Sequence, residues 1–160
     1  MAIIVLSNGK TAFIDDEDIT KVEGLTWYEG SVGYAYHSIY MGRKDGKELP
    51  SKKVALHRVI MDAKPGEVVD HISGDKLDNR KQNLRLCTIS ENGMNRGAAS
   101  HNRTGYKGVC SHPNGRWSAK IVKRGKRLWL GYFPSALEAA SAYNEAATKI
   151  HGEFAKLNPL

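Results

Sequence analysis

The sequence predicts an α+β chain: a two-strand-and-helix unit in the middle, then a three-stranded antiparallel sheet packed on one helix. Three observations lead there. Short runs alternate apolar and polar residues with period two and are parted by turn residues. Two capping boxes, Thr88-Ile89-Ser90-Glu91 and Ser135 with Glu138, open helices. An alanine-rich face at helical spacing follows the last alternating run.

The elements follow in order. Residues 3–6 and 11–14 flank Asn8-Gly9, the residue pair of a tight hairpin. Residues 15–18 offer caps for a short helix, and 34–40 alternate as a strand. Residues 52–61 are mainly apolar and read as strand passing into helix, closed by Pro65-Gly66. From Val68 a short apolar approach ends at Asp70-His71, and a polar loop runs through Gly74 and Asn79. Residues 83–87 alternate as the second strand, and a helix carrying Asn92 and Asn95 comes next. Residues 97–105 lack an apolar period and hold small polar residues, the composition of a linker. Beyond them, 106–110, 116–122 and 127–132 read as a meander, broken by His112-Pro113-Asn114-Gly115 and by Arg124-Gly125. Ala136, Ala139, Ala140, Tyr143, Ala146, Ala147 and Ile150 then recur at helical spacing until Gly152, and their small side chains allow a helix close to the sheet. The expected division is 1–97, a linker over 98–104, and 105–160.

Charge sharpens this division. Residues 1–96 hold 14 Lys and Arg against 14 Asp and Glu, whereas 97–160 hold ten against three. The whole surplus of +7 therefore sits on the last two-fifths, the electrostatic footprint of a phosphate-backbone binder. No run approaches the ~18 apolar residues of a membrane span. The apolar stretch 3–6 is too short for a signal sequence and runs into a turn, so a cytoplasmic protein is expected. Cys87 and Cys110 stand far apart, which leaves neither a disulfide framework nor a zinc ribbon.

The middle unit carries chemistry. Cutting a phosphodiester needs an activated water, a cation to neutralise charge, and help for the leaving oxygen. An imidazole is neutral and basic near pH 7, and a carboxylate with an amide oxygen suits a hard cation such as Mg²⁺. Asp70, His71 and the amides Asn83 and Asn92 offer these groups on one compact unit. Neighbouring strand residues point to opposite faces, so Asp70 and His71 share a site only where the strand ends or distorts. His57, in an apolar run, reads as a packing residue outside the site.

Leu56-His57-Arg58, the run from Val69-Asp70-His71 to Asp78-Asn79-Arg80, Asn83-Leu84-Arg85 and Ser90-Glu91-Asn92 together resemble the HNH homing endonucleases of bacteriophages, closely over residues 54–96. The resemblance implies a ββα-metal fold in which His71 is the general base. Asp70 and Asn92 would ligate one divalent cation, Mg²⁺ or Mn²⁺, and Asn83 would hold strands and loop in register. The last letter being Asn92 rather than His matches the phage homing branch.

The C-terminal segment presents Lys107, Arg116, Trp117, Lys120, Arg127 and Trp129 on its strands, with Val109, Ala119, Ile121, Leu128 and Leu130 expected against the helix. Tyr106-Lys107-Gly108-Val109, Gly115-Arg116-Trp117, Trp129-Leu130-Gly131-Tyr132-Phe133 and Glu138-Ala139-Ala140 resemble the plant Apetala-two or ethylene-response-factor domain, whose sheet lies in a DNA major groove. The resemblance marks five of the six basic and aromatic residues, Lys107, Arg116, Trp117, Arg127 and Trp129, as DNA contacts, and Lys120 joins them by its charge on the same sheet. Cys110 and Asn114 replace an Arg and a Trp of the plant pattern, and Lys120 replaces a Glu, so the recognised base sequence is not borrowed. Taken together, the expected function is a site-specific, metal-dependent endonuclease on double-stranded DNA, acting as a monomer or weak homodimer. A DNA-binding regulator with an inactive nuclease scaffold is the alternative, and a structure-selective nuclease of RNA or DNA is a third reading.

Overall fold

The computed structural model describes residues 1–160, and the chain packs as two compact units, Met1–Thr88 and Ile89–Leu160. In the first unit, β1 (Ala2–Val5) and β2 (Thr11–Ile14) form the expected antiparallel hairpin, its turn eased by Gly9 at φ 82°. A 3₁₀ helix, Asp16–Lys21, follows and carries three acids in its first turn, where the helix dipole favours them. β3 (Tyr28–Glu29), β4 (Ala35–Ile39) and β7 (Lys52–Ala55) make a three-stranded antiparallel sheet with β4 in the middle. Between β4 and β7, β5 (Arg43–Lys44) and β6 (Lys47–Glu48) pair as a small hairpin that the sequence reading passed over. Strand β7 runs directly into α1 (Leu56–Ile60), the strand-to-helix passage expected there.

The two strands that carry the chemistry, β8 (Val68–His71) and β9 (Leu84–Cys87), pair antiparallel with Asp70 opposite Arg85 and His71 opposite Leu84. Val69 and Leu84 reach inward to a core that also holds Leu6, Ile14, Trp27, Leu56 and Ile60. Phe13 fastens the loop between β8 and β9 to the hairpin: its N–H donates to Leu77 O and its carbonyl accepts from Asn79 N–H at 2.7 Å. The site is therefore anchored to the core on both sides.

The second unit begins with α2 (Ile89–Asn95), although the charge and linker pattern closed the first domain at residue 97. Lys107 accounts for the difference, because its ammonium donates to the carbonyls of Met94 at 2.5 Å and Arg96 at 2.6 Å and so ties the helix end to this unit. β10 (Val109–Ser111), β11 (Trp117–Lys123) and β12 (Lys126–Phe133) form the antiparallel meander, and α3 (Ala136–His151) packs across it. The β11–β12 turn is a two-residue loop in which Arg124 and Gly125 both have positive φ, the geometry that suits strand twist. Ser135 caps α3 by accepting from Glu138 N–H at 3.2 Å.

Leu128 stands opposite the buried Ile121 and so lies on the helix-facing side as expected, although it remains 38% exposed. A bulge at Ala119/Lys120 pairs Ala119 with Gly131 and Lys120 with Trp129, so Leu130 is the extra residue and it packs against the core. The first strand also starts later than residue 106, because Gly108 turns the chain at φ 76° before Val109.

Candidate functional site

Asp70 and His71 close β8, and alternation along the strand gives each its own surroundings. The Asp70 carboxylate is buried and its Oδ2 accepts from Arg85 Nε at 3.0 Å and Nη2 at 2.8 Å. His71 is equally buried, 4% exposed, and enters a nest of rings. The His57 ring stands edge-on to it at 5.1 Å between centroids, and Tyr34 lies 5.6 Å from His71 and 5.0 Å from His57. Burial in this nest pushes the His71 imidazole below the ordinary histidine range, against the opposing pull of Asn79 and the nearby carboxylates. Burial first, and then the neighbouring His71 and Arg58, push His57 down to about 4. Both rings are therefore neutral at pH 7.

The loop after His71 is built from its own polar side chains. Asn83 Oδ1 accepts from Ser73 N–H at 2.9 Å, its Nδ2 donates to Asp78 O at 2.8 Å, and its carbonyl accepts from Ile72 N–H at 2.8 Å. One buried amide thus ties both ends of the loop to the start of β9. Arg80 braces the far end through two bonds to Asp78, whose carboxyl it holds below the usual range. Within the loop Asn79 is fully buried, with Oδ1 at 3.3 Å from His71 Nε2 and Nδ2 donating to Leu77 O at 3.0 Å. Lys76 donates to Val32 O and sits 4.9 Å over the Tyr34 ring, which closes the edge of the nest.

Of the residues singled out in the sequence, Asp70, His71 and Asn83 stand together in the first unit. Asn92 is half-buried on α2, which packs with the second unit. His57 was set aside as packing; it is buried as expected, but against the ring of His71. Asn79, Tyr34 and Arg85 were given no role. No three His, Cys, Asp or Glu side chains gather as a metal cluster in the chain, and no helix is long and apolar enough to cross a membrane.

In the second unit the sheet has an outer face bearing Lys120 opposite Trp129, Val122 opposite Arg127, and Ser118 opposite Tyr132. Trp129 is 54% exposed and stands against Tyr132 at 4.9 Å, a ring that also meets His112 at 5.1 Å and has Arg116 over it at 5.6 Å. Arg116 and Arg127 are exposed and Lys120 is half-buried. Two of the six expected contacts differ. Trp117 packs half-buried against the Val109, Ala119, Ala139 and Ala140 cluster, because alternation turns it to the helix side. Lys107 has its ammonium on the carbonyls at the end of α2, and burial lowers its pKa to about 8.

Residues 54–94 match the HNH endonuclease family, and residues 104–153 match the AP2 domain. An uncharacterized HNH endonuclease of Acanthamoeba polyphaga mimivirus is 32% identical over 158 residues, covering 95% of this chain and 76% of that protein. Dehydration-responsive element-binding protein 2A of Arabidopsis thaliana is 48% identical over 65 residues, 39% of this chain and 19% of the plant protein. Among solved structures, the HNH homing endonuclease I-HmuI aligns over 91% of this chain and 78% of its own at 21% identity and a TM-score of 0.37.

Proposed function

The chain belongs to the HNH endonuclease family, and on that premise we propose that it is a metal-dependent, site-specific DNA endonuclease of the homing type. It is a nuclease with an AP2 DNA-binding domain on the same chain. In this reading the AP2 domain selects the site through Arg116, Lys120, Arg127 and Trp129, and the HNH unit hydrolyses one phosphodiester to a 5′ phosphate and a 3′ hydroxyl. Residues 98–104 serve as the linker between them.

The observation that carries the reading is the state of His71. A general base must be unprotonated at working pH and held in place, and burial keeps this imidazole neutral while rings and an amide surround it. Next to it in the chain Asp70 supplies a buried carboxylate, and the family pattern makes the Asn92 amide oxygen the second donor, both hard ligands. So small a donor set suits Mg²⁺ or Mn²⁺, which keep waters and substrate phosphate among their ligands. When bound, such a cation neutralises charge on the phosphate and eases departure of the 3′ oxygen. Asp70 would then share its charge between the cation and Arg85. Asn83 has no chemical part; its hydrogen bonds hold the loop that follows the base. One site per chain gives a nick by a monomer, and a double-strand cut only where two chains meet in a weak homodimer. A viral relative fits action on DNA in the host cytoplasm.

The deciding experiment incubates supercoiled plasmid carrying genomic target sequence with wild type and His71→Ala, in Mg²⁺, Mn²⁺ or chelator. We expect nicked circles with wild type and cation, and none with chelator or the variant, while both proteins bind DNA equally. Cleavage by His71→Ala at the wild-type rate would remove His71 as base. Binding without cleavage by wild type under every cation would leave a DNA-binding regulator.

A further inference from the structure

Asn79 lies in the loop that Asn83 ties down, eight residues after His71, and no part of the reaction described above uses it. Its side chain is completely buried, and its orientation is fixed independently of His71. The Nδ2 amide donates to Leu77 O at 3.0 Å, a carbonyl that can only accept. The carbonyl end, Oδ1, must therefore be the end that faces His71 Nε2 at 3.3 Å. The Asn79 backbone is pinned as well, its N–H donating to Phe13 O at 2.7 Å, while complete burial and the bond to Leu77 O hold the side-chain amide in place. An amide oxygen has no proton to give. The hydrogen in the Asn79–His71 contact consequently belongs to the imidazole.

We propose that Asn79 is the positioning residue of the nuclease centre: by accepting from Nε2–H it holds neutral His71 in one tautomer, with the ring lone pair on Nδ1. The inference rests on the reading of His71 as the base. The three-ring nest fixes the plane of the imidazole, since His57 and Tyr34 touch both it and each other. Packing alone leaves the ring free to turn over by half a rotation, which would exchange the two nitrogens. Asn79 removes that freedom, and so decides which nitrogen meets the water. A leucine at the same position would fill the space and leave the choice open.

Two measurements test this, and the first needs no variant. Nitrogen-15 NMR of histidine-labelled full-length protein at pH 7.5, with the His71 signals assigned by their loss in His71→Ala, reads the tautomer directly. We expect protonated Nε2 and unprotonated Nδ1; the opposite pattern, or an equal mixture, overturns the proposal even if cleavage is normal. The second compares single-turnover cleavage by wild type, Asn79→Leu and Asn79→Asp at saturating protein. Asn79→Leu should cut about 10- to 100-fold more slowly, the usual effect of losing a partner that orients a histidine, with half-saturation for DNA unchanged. Asn79→Asp keeps an acceptor oxygen and should recover most of the rate. Wild-type speed in Asn79→Leu, or equal loss in Leu and Asp variants, would overturn the role. Absence of cleavage in wild type itself would instead defeat the nuclease reading, and the NMR result would still judge Asn79.

Discussion

His57 places an imidazole where an apolar ring would fit, and its Nδ1 is buried without a hydrogen-bond partner. Desolvation first, then the neighbouring His71 and Arg58, depress its pKa to about 4 in the folded chain, against an ordinary 6.5. The sign follows from linkage: between these values the unfolded chain binds a proton that the folded chain refuses. The stabilisation is whole above pH 6.5 and is lost as pH falls towards 4, at about 1.4 kcal/mol per pH unit. His71 is depressed in the same direction and adds to the slope. Urea unfolding of wild type and His57→Phe at pH 7.5, 5.5 and 4.5 should find wild type losing more stability with acid than the variant. Parallel losses would mean that His57 titrates normally. At this scale the sequence was readable where one residue answers to a local pattern. The register role of Asn83 came from the family resemblance, and its bonds are local, reaching ten residues back to Ser73. Tyr34 and His71 lie 37 positions apart, and no spacing rule announces that a fold will press their rings together. Asn79 left a fainter trace, an amide in a turn-rich loop, but Asn is common in such loops for its own backbone bonds. Only burial separates this one from the rest.

Elements were read best where turn chemistry fixes them. Asn8-Gly9, Arg124-Gly125 and the Ser135 cap stand where hairpins and helix were expected, since each depends on neighbours in the chain. The bulge in β12 could not be read this way. It depends on which residues of β11 lie opposite, and a shift by one residue exchanges the faces of everything beyond it. That shift makes Leu130 the extra residue, packed against the core, and sets Trp129 opposite Lys120 and Leu128 opposite Ile121. Gly108 gives the sharpest test of how closely α3 and the sheet approach. At φ 76° it holds a conformation that side chains resist, and an added Cβ would stand 2.3 Å from the Tyr143 ring and 2.5 Å from Lys120 O. The backbone carbonyl cannot give way, and Tyr143 is buried in the core. Gly108→Ala should therefore destabilise the protein by at least ~2 kcal/mol, read as a lower urea midpoint at unchanged slope. A midpoint within error of wild type would mean that the sheet and helix have room to part. Ser135→Ala, which removes only the cap, should cost about 1 kcal/mol.

Across the whole molecule, charge and chemistry are carried by different stretches of chain. The balanced first 96 residues hold the base and its supports, while the surplus of positive charge lies beyond them. Such a division predicts that affinity and cutting rate respond to different substitutions. Arg127 is exposed on the outer face of the sheet, so Arg127→Ala should weaken DNA binding and flatten the plot of log affinity against log salt by ~0.9, the share of one phosphate contact. Its single-turnover rate at saturating protein should match wild type, because nothing around His71 has changed. Lys107 makes the contrast within the same strand-rich segment. Its ammonium already serves the carbonyls of Met94 and Arg96, so Lys107→Ala should leave the salt slope within error of wild type and lower the urea midpoint instead. His71→Ala should leave the salt slope unchanged and abolish the cut, with a lower midpoint from the lost buried ring. Measured for salt slope, unfolding midpoint and single-turnover rate, only Arg127→Ala should flatten the slope and only His71→Ala should abolish cutting. If Lys107→Ala flattened the slope as much as Arg127→Ala, its ammonium would leave the helix end when DNA arrives, and the basic footprint would extend beyond the outer face of the sheet.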